Sequence, residues 1–421
     1  MTAQPHAAVS AEVICVGSEL LIDRVNTDLL IIARMLRSAG VRVRRGQVVS
    51  DVREEIARAI GEALRRSDIV LVTGGLGPTF DDLTREGVAD ALGRQMSFRE
   101  DVWEAIVRRF RQRGITPPDS NRRQAYILEG AEILPNYVGT APGQVLEAEG
   151  KTVVLLPGPP AELTPMLEQV LPRIAHRFPQ AAGIETLRVA CAGLPESVVE
   201  ERCRQLIEAH QSPGRLEFII LAQPQIIELL VTSCVPETRE EAEEVCRRLT
   251  EIFGEDCLGL NPPPLPEIAG KMCLRAGVTL AVAESCTGGL VGKLLTDTPG
   301  SSAWMRGGVV AYSNLVKRRV LRVGRSTLKK HGAVSAECAA AMAAGVRKVL
   351  KADIGVSITG IAGPSGGSED KPVGLVWVGI SARKHTLVER FLFPGQRWQV
   401  RERAAMAAID LLRRFLLRSN G

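Results

Sequence analysis

Three short apolar runs, each stopped by a glycine or proline turn, do most to constrain what the N-terminal half of this 421-residue chain can fold into. Val13 to Val16 ends at Gly17, Asp68 to Val72 runs on to Gly74-Gly75, and Thr152 to Leu156 stops at Pro157-Gly158. Runs this short and this apolar suit strands buried on both faces. A helical pattern such as Asp28 to Arg37 between them implies a parallel sheet covered by helices. Ligands bind to such sheets where strands give way to loops, so the three turns already mark out a candidate site.

The alternation returns after about Leu265. Thr279 to Ala283, Gly307 to Ala311, Ile354 to Ile358 and Val373 to Ile380 read as strands, with Ala336 to Leu350 and Trp398 to Leu417 as helices. Between the two halves, Thr186 to Gly259 reads strand, helix, strand, strand, helix. Asn261 is followed by Pro262-Pro263-Pro264-Leu265-Pro266, an extended and stiff stretch that no helix or sheet interior accepts. A softer boundary lies near Pro179 to Gly183. The expected class is α/β: two α/β domains with mainly parallel sheets, residues 1–180 and 261–421, joined by a small α+β domain at 181–260.

Composition narrows the function. Lys and Arg exceed Asp and Glu by 53 to 48, a net charge of +5 that is too mild to signal nucleic acid. Only 4% of residues are aromatic, which also argues against stacking on single strands. Arg108, Arg109, Arg111 and Arg113 read as the solvated face of a helix whose other side carries Val102, Ile106 and Phe110. Nine cysteines, an odd number without a C-x-x-C pair, suit reduced thiols in the cytoplasm. Met1 to Ser10 lacks the features of a signal peptide, and no run of about 18 apolar residues appears, so a soluble protein without a membrane partner is expected.

In the first domain, Thr73-Gly74-Gly75-Leu76-Gly77-Pro78-Thr79 follows a strand and precedes Asp81-Asp82. Glycines let backbone N–H groups approach an anion, and paired carboxylates suit a hydrated divalent cation bridging to phosphate. A strand-to-helix turn with a capping Asp explains the same residues equally well. The segment matches neither G-x-G-x-x-G nor a Walker A loop. Gly17-Ser18-Glu19-Leu20-Leu21 and the turn from Leu156 to Glu162 lie at the neighbouring strand ends.

In the last domain, Ala283-Glu284-Ser285-Cys286-Thr287-Gly288-Gly289 follows a strand and opens a helix. A serine there can present its hydroxyl while N–H groups at the helix start stabilise an oxyanion; it can equally be a helix cap. Thr287 stands where a Walker A loop needs its first glycine, although Gly292-Lys293 follows. A serine nucleophile needs a base. His331 is the one histidine near a motif, and Lys317, in Tyr312-Ser313-Asn314-Leu315-Val316-Lys317, is the alternative, since a desolvated lysine gives up its proton. Cys286 is a further candidate nucleophile. Thr359-Gly360-Ile361-Ala362-Gly363-Pro364-Ser365-Gly366-Gly367 ends a strand and can wrap a phosphate, with Lys371 adding charge.

These motifs together carry a resemblance. G-S-E-L-L, T-G-G-L-G-P-T-x-D-D-L-T, N-R-R-Q-A, the segment from Ala131 to Gly143 and L-P-G-P-P-A-E-L resemble the N-terminal domain of CinA proteins, itself similar to molybdopterin-binding domains. The Ser285 turn, G-S-S-A-W, G-G-V-V-A-Y-S-N, the Thr359 loop and K-P-V-G resemble the CinA C-terminal domain, a nicotinamide mononucleotide deamidase. The resemblance implies amide hydrolysis without a cofactor, with Ser285 as nucleophile, Lys317 as base and Tyr312 assisting. Thr287, Gly288, Gly289, Thr359, Gly360, Gly363 and Gly366 would bind the substrate. It implies ADP-ribose hydrolysis in the first domain with a magnesium-like divalent ion, and with potassium. There Glu19, Asn26, Asp51, Gly74, Gly75, Gly77, Thr79 and Asp81 would form the ADP-ribose site, with Asp81 and Asp82 on the metal. It further implies a KH-like middle domain, although that region has no G-x-x-G loop to grip nucleic acid, and a homodimer whose partners are small nucleotides. The alternatives are a molybdopterin-binding or competence-related protein whose first domain has no catalysis. The family pattern has Thr where Ser18 stands, Gly at Asp23, Asn at Asp28 and Glu at Leu315.

Overall fold

The structure is a computed structural model and describes residues 9–179 and 184–419. The boundary expected near Pro179 to Gly183 and the first eight residues of the polar N-terminus lie mostly or wholly outside the described residues. The chain forms two compact units. One runs up to Thr186 and includes Thr232–Arg239; the other combines Leu187–Val231 with the chain from Glu240 onward.

The first unit is built on the three apolar runs. Ser10–Val16 pairs in parallel with Arg42–Val49 on one side and Ile69–Thr73 on the other, and Ile69–Thr73 pairs in parallel with Lys151–Leu156. Gly143–Ala148 and Glu132–Leu134 extend the sheet antiparallel. The central strands are buried along their full length, as expected for a sheet with apolar clusters on both faces. The Arg-rich helix Glu100–Gln112 buries Val102 and Ile106 and leaves its arginines outward or on nearby carbonyls, the solvated face that its spacing predicts.

The second unit contains two sheets. In one, Met305–Val310, Leu280–Glu284 and Ile354–Gly360 are parallel neighbours. Leu375–Ser381 and Thr386–Leu392 then return antiparallel, so this sheet is parallel over only part of its width. The other sheet holds the middle segment in the order Leu216–Gln223, Ile226–Ser233, Glu185–Ala192, Cys257–Leu260. Ala190, Ala192 and Ile226 join the same apolar cluster as Leu265, Val282 and Leu412, which gives a physical reason for this segment to group with the C-terminal residues. The long helix Arg397–Ser419 reinforces the grouping. Its Arg414 donates to Asp256 at 2.8 Å and to the Ala192 carbonyl at 2.9 Å. No helix among the described residues is long and apolar enough to cross a membrane.

Candidate active site

Ser285 leaves the end of Leu280–Glu284 on a turn held by both neighbouring strands. Its amide donates to the Ile358 carbonyl at 3.0 Å, and the preceding Glu284 carbonyl accepts from Ala311 at 2.7 Å. Gly288 and Gly289 then take φ of 62° and 98°, a left-handed region that a side chain would strain, before the helix Leu290–Thr296 begins. The buried Glu284 carboxylate accepts from the amides of Gly289, Val291 and Gly292 at 2.9, 3.1 and 2.8 Å. A carboxylate at the positive end of a helix neutralises it. This corrects the expectation for Gly289: its amide already serves Glu284 and is not an oxyanion donor. The Gly288 amide closes the turn on the Ser285 carbonyl at 3.2 Å.

Lys317 comes from the helix Asn314–Arg319, which is capped by Ser313. Its side chain turns inward and is 1% exposed. The Nζ donates to Ser285 Oγ at 3.0 Å and to the Ala311 carbonyl at 2.6 Å. Burial pushes its ammonium below the usual lysine range, with the nearby Cys338 and Cys286 thiols acting weakly the other way. His331 is paired instead with Glu337 at 3.0 Å. Cys286 is buried, and burial pushes its thiol up to about 12, so it stays protonated and is a poor nucleophile.

The other expected residues divide. The Thr287 hydroxyl is fully buried and has no hydrogen-bond partner among the described residues. The Thr359 hydroxyl is committed to the Ala333 carbonyl at 2.7 Å, and Gly360 ends its strand beside it. Gly363 is buried and its carbonyl accepts from Arg397 at 2.7 Å, whereas Gly366 is exposed. Tyr312 is 63% exposed, and its hydroxyl accepts from Arg397 at 3.0 Å rather than from Ser285 or Lys317. Lys371 bonds the carbonyls of His331 and Val334 at 2.7 and 2.8 Å, so its charge braces a loop. Sequence reasoning missed Glu284, Arg397 and Arg401. The last donates to the Thr287 carbonyl at 2.8 Å. The two arginines lie four apart on the final helix, one face of one turn, and that spacing was the only signal.

In the first unit, the three strand-end turns frame a cleft of about 930 Å³. Glu19, Asp51, Gly74, Gly75, Gly77, Thr79, Asp81 and Asp82 all line it. Asn26 does not; its Oδ1 accepts from the Leu29 amide at 3.2 Å and starts a helix. Gly74 and Gly75 have φ of 92° and 60°, and a Cβ on Gly74 would collide with the Val16 carbonyl. Three amides of the expected phosphate cradle are already committed. The Gly74 amide bonds the Leu156 carbonyl at 3.1 Å, while those of Gly77 and Thr79 bond Asp82 at 2.9 and 2.7 Å. Arg85, missed in the sequence, and Arg123, of the N-R-R-Q-A motif, clasp the loop carbonyls of Leu76, Gly77 and Thr79.

The metal expectation fares likewise. Both Asp82 oxygens are engaged by the loop, Asp81 is exposed, and among the described residues no group of three or more His, Cys, Asp or Glu side chains is placed to hold an ion. The donors present do not make a metal centre by themselves. Glu19, Asp28, Asp51, Asp81, Asp82 and Glu162 line the cleft together with Arg24 and Arg113, an acidic lining overall, and Arg24 lies 3.9 Å from Glu19.

Comparison with known proteins agrees across the chain. Residues 263–416 match the CinA C-terminal domain and residues 12–176 match the family described as “Probable molybdopterin binding domain”. A competence-damage inducible protein of Caldanaerobacter subterraneus subsp. tengcongensis is 40% identical over 96% of this chain and 98% of its own. A CinA-like protein of Thermotoga maritima is 39% identical over 96% and 98%. A solved CinA-superfamily protein from Klebsiella pneumoniae, 34% identical, covers 37% of this chain and 96% of its own, with a TM-score of 0.36.

The chain belongs to the CinA family.

Its departures from the CinA pattern can now be placed. Ser18 keeps the hydroxyl in use: its Oγ accepts from the Asp51 amide at 3.2 Å while Asp51 accepts from the Ser18 amide at 2.7 Å. Asp23 is exposed, ends the short helix Glu19–Ile22 and does not line the cleft. Asp28 lies at the cleft floor against Thr73, and burial pushes its carboxyl above the usual range. Leu315 is half-exposed while Lys317 is buried, so the two side chains leave their helix on different faces, and a charge at 315 would face water.

Proposed function

We propose that the C-terminal part of this CinA protein hydrolyses the carboxamide of nicotinamide mononucleotide to the acid and ammonia. The observation that carries this reading is the buried Lys317 amine 3.0 Å from Ser285 Oγ. A desolvated amine is held toward its neutral form. In that form its lone pair takes the Ser285 proton while an N–H still bonds the Ala311 carbonyl. Ser285 Oγ adds to the carboxamide carbon, and the oxyanion that forms meets the unpartnered Thr287 hydroxyl. Lys317 returns the proton to the departing nitrogen, ammonia leaves, and a water deprotonated by Lys317 cleaves the ester. The pyridinium charge already activates the carbonyl. Arg397 and Arg401, beside the Gly363 and Thr287 carbonyls, supply positive charge for the phosphate.

We infer a separate nucleotide reaction in the first unit, hydrolysis of ADP-ribose. Support comes from the CinA resemblance and from a cleft of about 930 Å³, large enough for a nucleotide. The acidic lining means that phosphates would enter together with cations.

The test of the first reaction is ammonia release from nicotinamide mononucleotide by the full-length protein and by Ser285→Ala. Release by the wild type and not by the variant supports the reading. Equal release by both, or none by either, ends it. AMP release from ADP-ribose tests the second; nucleotide binding without AMP would leave the cleft a binding site only.

A further inference from the structure

Away from the candidate active site, two thiols of the second unit face each other. Cys191, in Glu185–Ala192, and Cys257, in Cys257–Leu260, are direct partners in an antiparallel pair. Directly opposed residues in such a pair have Cα atoms about 4.5–5.5 Å apart, within the roughly 4.4–6.8 Å that a disulfide needs. Both side chains also pack into one apolar cluster with Val199, Leu249 and Phe253. A bulge follows Cys257, and the Gly259 amide there donates to its Sγ at 3.3 Å.

The two sulfurs differ in access and in acidity. Cys191 is fully buried, whereas Cys257 is half-buried and lines a cavity of about 450 Å³ with Glu255, Leu258, Met272 and Arg413. The adjacent Cys191 thiol, the Gly259 amide and the Arg413 charge hold the Cys257 thiol below the ordinary range, and the closeness of Cys257 together with burial pushes Cys191 up. Burial pushes up the thiols of Cys15, Cys203, Cys246, Cys273, Cys286 and Cys338. Reactivity follows thiolate character and access. Cys257 therefore has the attributes of an attacking thiol, and Cys191 stands behind it as a resolving one.

We propose that Cys191 and Cys257 form a redox-active dithiol that a hydroperoxide converts to an intramolecular disulfide. The Cys257 thiolate attacks a peroxide oxygen. The O–O bond breaks, Cys257 becomes a sulfenic acid, and the departing oxyanion takes a proton from water. Cys191 Sγ then attacks Cys257 Sγ. The S–S bond forms, the S–O bond breaks, and hydroxide leaves with the Cys191 proton as water. Two thiols are oxidised and the peroxide is reduced to water and the matching alcohol, or to water alone from hydrogen peroxide. A small thiol reverses the change by exchange. Because the strands are already paired, closing the bond asks for no change of register.

The experiment is peptide mapping of the full-length protein after stoichiometric hydrogen peroxide and alkylation of the remaining thiols. The expected product is a peptide pair linking Cys191 to Cys257, lighter by two hydrogens and released by dithiothreitol. In Cys191→Ala, oxidation should stop at a Cys257 sulfenic acid that dimedone traps. A wild-type Cys257 that stays alkylatable while other thiols oxidise would overturn the proposal. So would a link from Cys191 to Cys203, the neighbouring thiol. The wild-type map needs no substitution, so a variant that fails to fold leaves the test intact.

Discussion

Lys317 Nζ and Ser285 Oγ, separated by 32 positions in sequence, lie 3.0 Å apart, and the amine is buried with the Ala311 carbonyl as its second partner. If that pair performs the chemistry, Lys317→Ala should lower ammonia release from nicotinamide mononucleotide by about 10⁴ to 10⁶. Lys317→Arg should not restore it, because a guanidinium keeps its proton at any working pH. Steady-state kinetics on the two variants decide this. A rate that survives Lys317→Ala but collapses in His331→Ala would move the base to the histidine.

The pH profile follows from the same burial. Burial lowers the folded Lys317 pKa below its ordinary 10.5, so the active neutral amine appears at lower pH than in an exposed lysine. The rate should rise with pH and level off, with its midpoint below 10.5. The stability effect has a matching sign. Between the folded and unfolded values the unfolded chain binds more protons, so the Lys317 contribution to stability increases as pH rises through that window. A pH-rate curve with its midpoint at the ordinary lysine value would remove the desolvated base.

Thr287 offers a test that separates chemistry from packing. Its buried hydroxyl lacks a partner among the described residues, so Thr287→Val removes no bond seen in the resting protein and should leave the melting temperature unchanged or slightly raised. Loss of one oxyanion donor should still lower kcat by about 10² to 10³. Thr287→Ser should recover most of the rate. A drop in stability without a drop in kcat would make Thr287 a packing residue.

Glu284 should behave in the opposite way. It ties down three amides at the start of Leu290–Thr296. Glu284→Ala leaves those donors unsatisfied and should destabilise the second unit by about 2–4 kcal/mol in denaturant titration. An unchanged midpoint would show that water replaces the carboxylate.

In the first unit the two adjacent aspartates should separate cleanly. Asp82 holds the amides of Gly77 and Thr79, so Asp82→Ala should cost about 1–2 kcal/mol of stability, in the manner of a lost cap, and abolish AMP release from ADP-ribose. The exposed Asp81 should leave the unfolding midpoint unmoved when changed to Ala, and any effect should fall on AMP release alone. Equal destabilisation by both would contradict the roles assigned to the loop.

Most of the elements were legible in the sequence because they depend on local pattern. Apolar runs ending at Gly17, Gly74 and Pro157 become buried strands ending at one cleft, and the middle segment reads in its observed order except for the last strand. That strand, Cys257–Leu260, is too short to show an alternation and exists because Glu185–Ala192 offers it an edge. Thr386–Leu392, half-exposed and charged, is likewise fixed by its hairpin partner. Motif residues such as Ser285 and Lys317 could be nominated from spacing and resemblance, because chemistry restricts which residue types serve. What each polar group bonds in the folded chain could not be read from spacing. The Gly77 and Thr79 amides go to Asp82, the Gly289 amide to Glu284, and the Tyr312 hydroxyl to Arg397 from 85 positions away. The first three pairs lie only three to five positions apart and depend on how their turns fold, while the last is set by packing. Only the tertiary structure therefore distinguished the hydroxyl still open at Thr287 from the donors already committed, and brought Cys191 opposite Cys257.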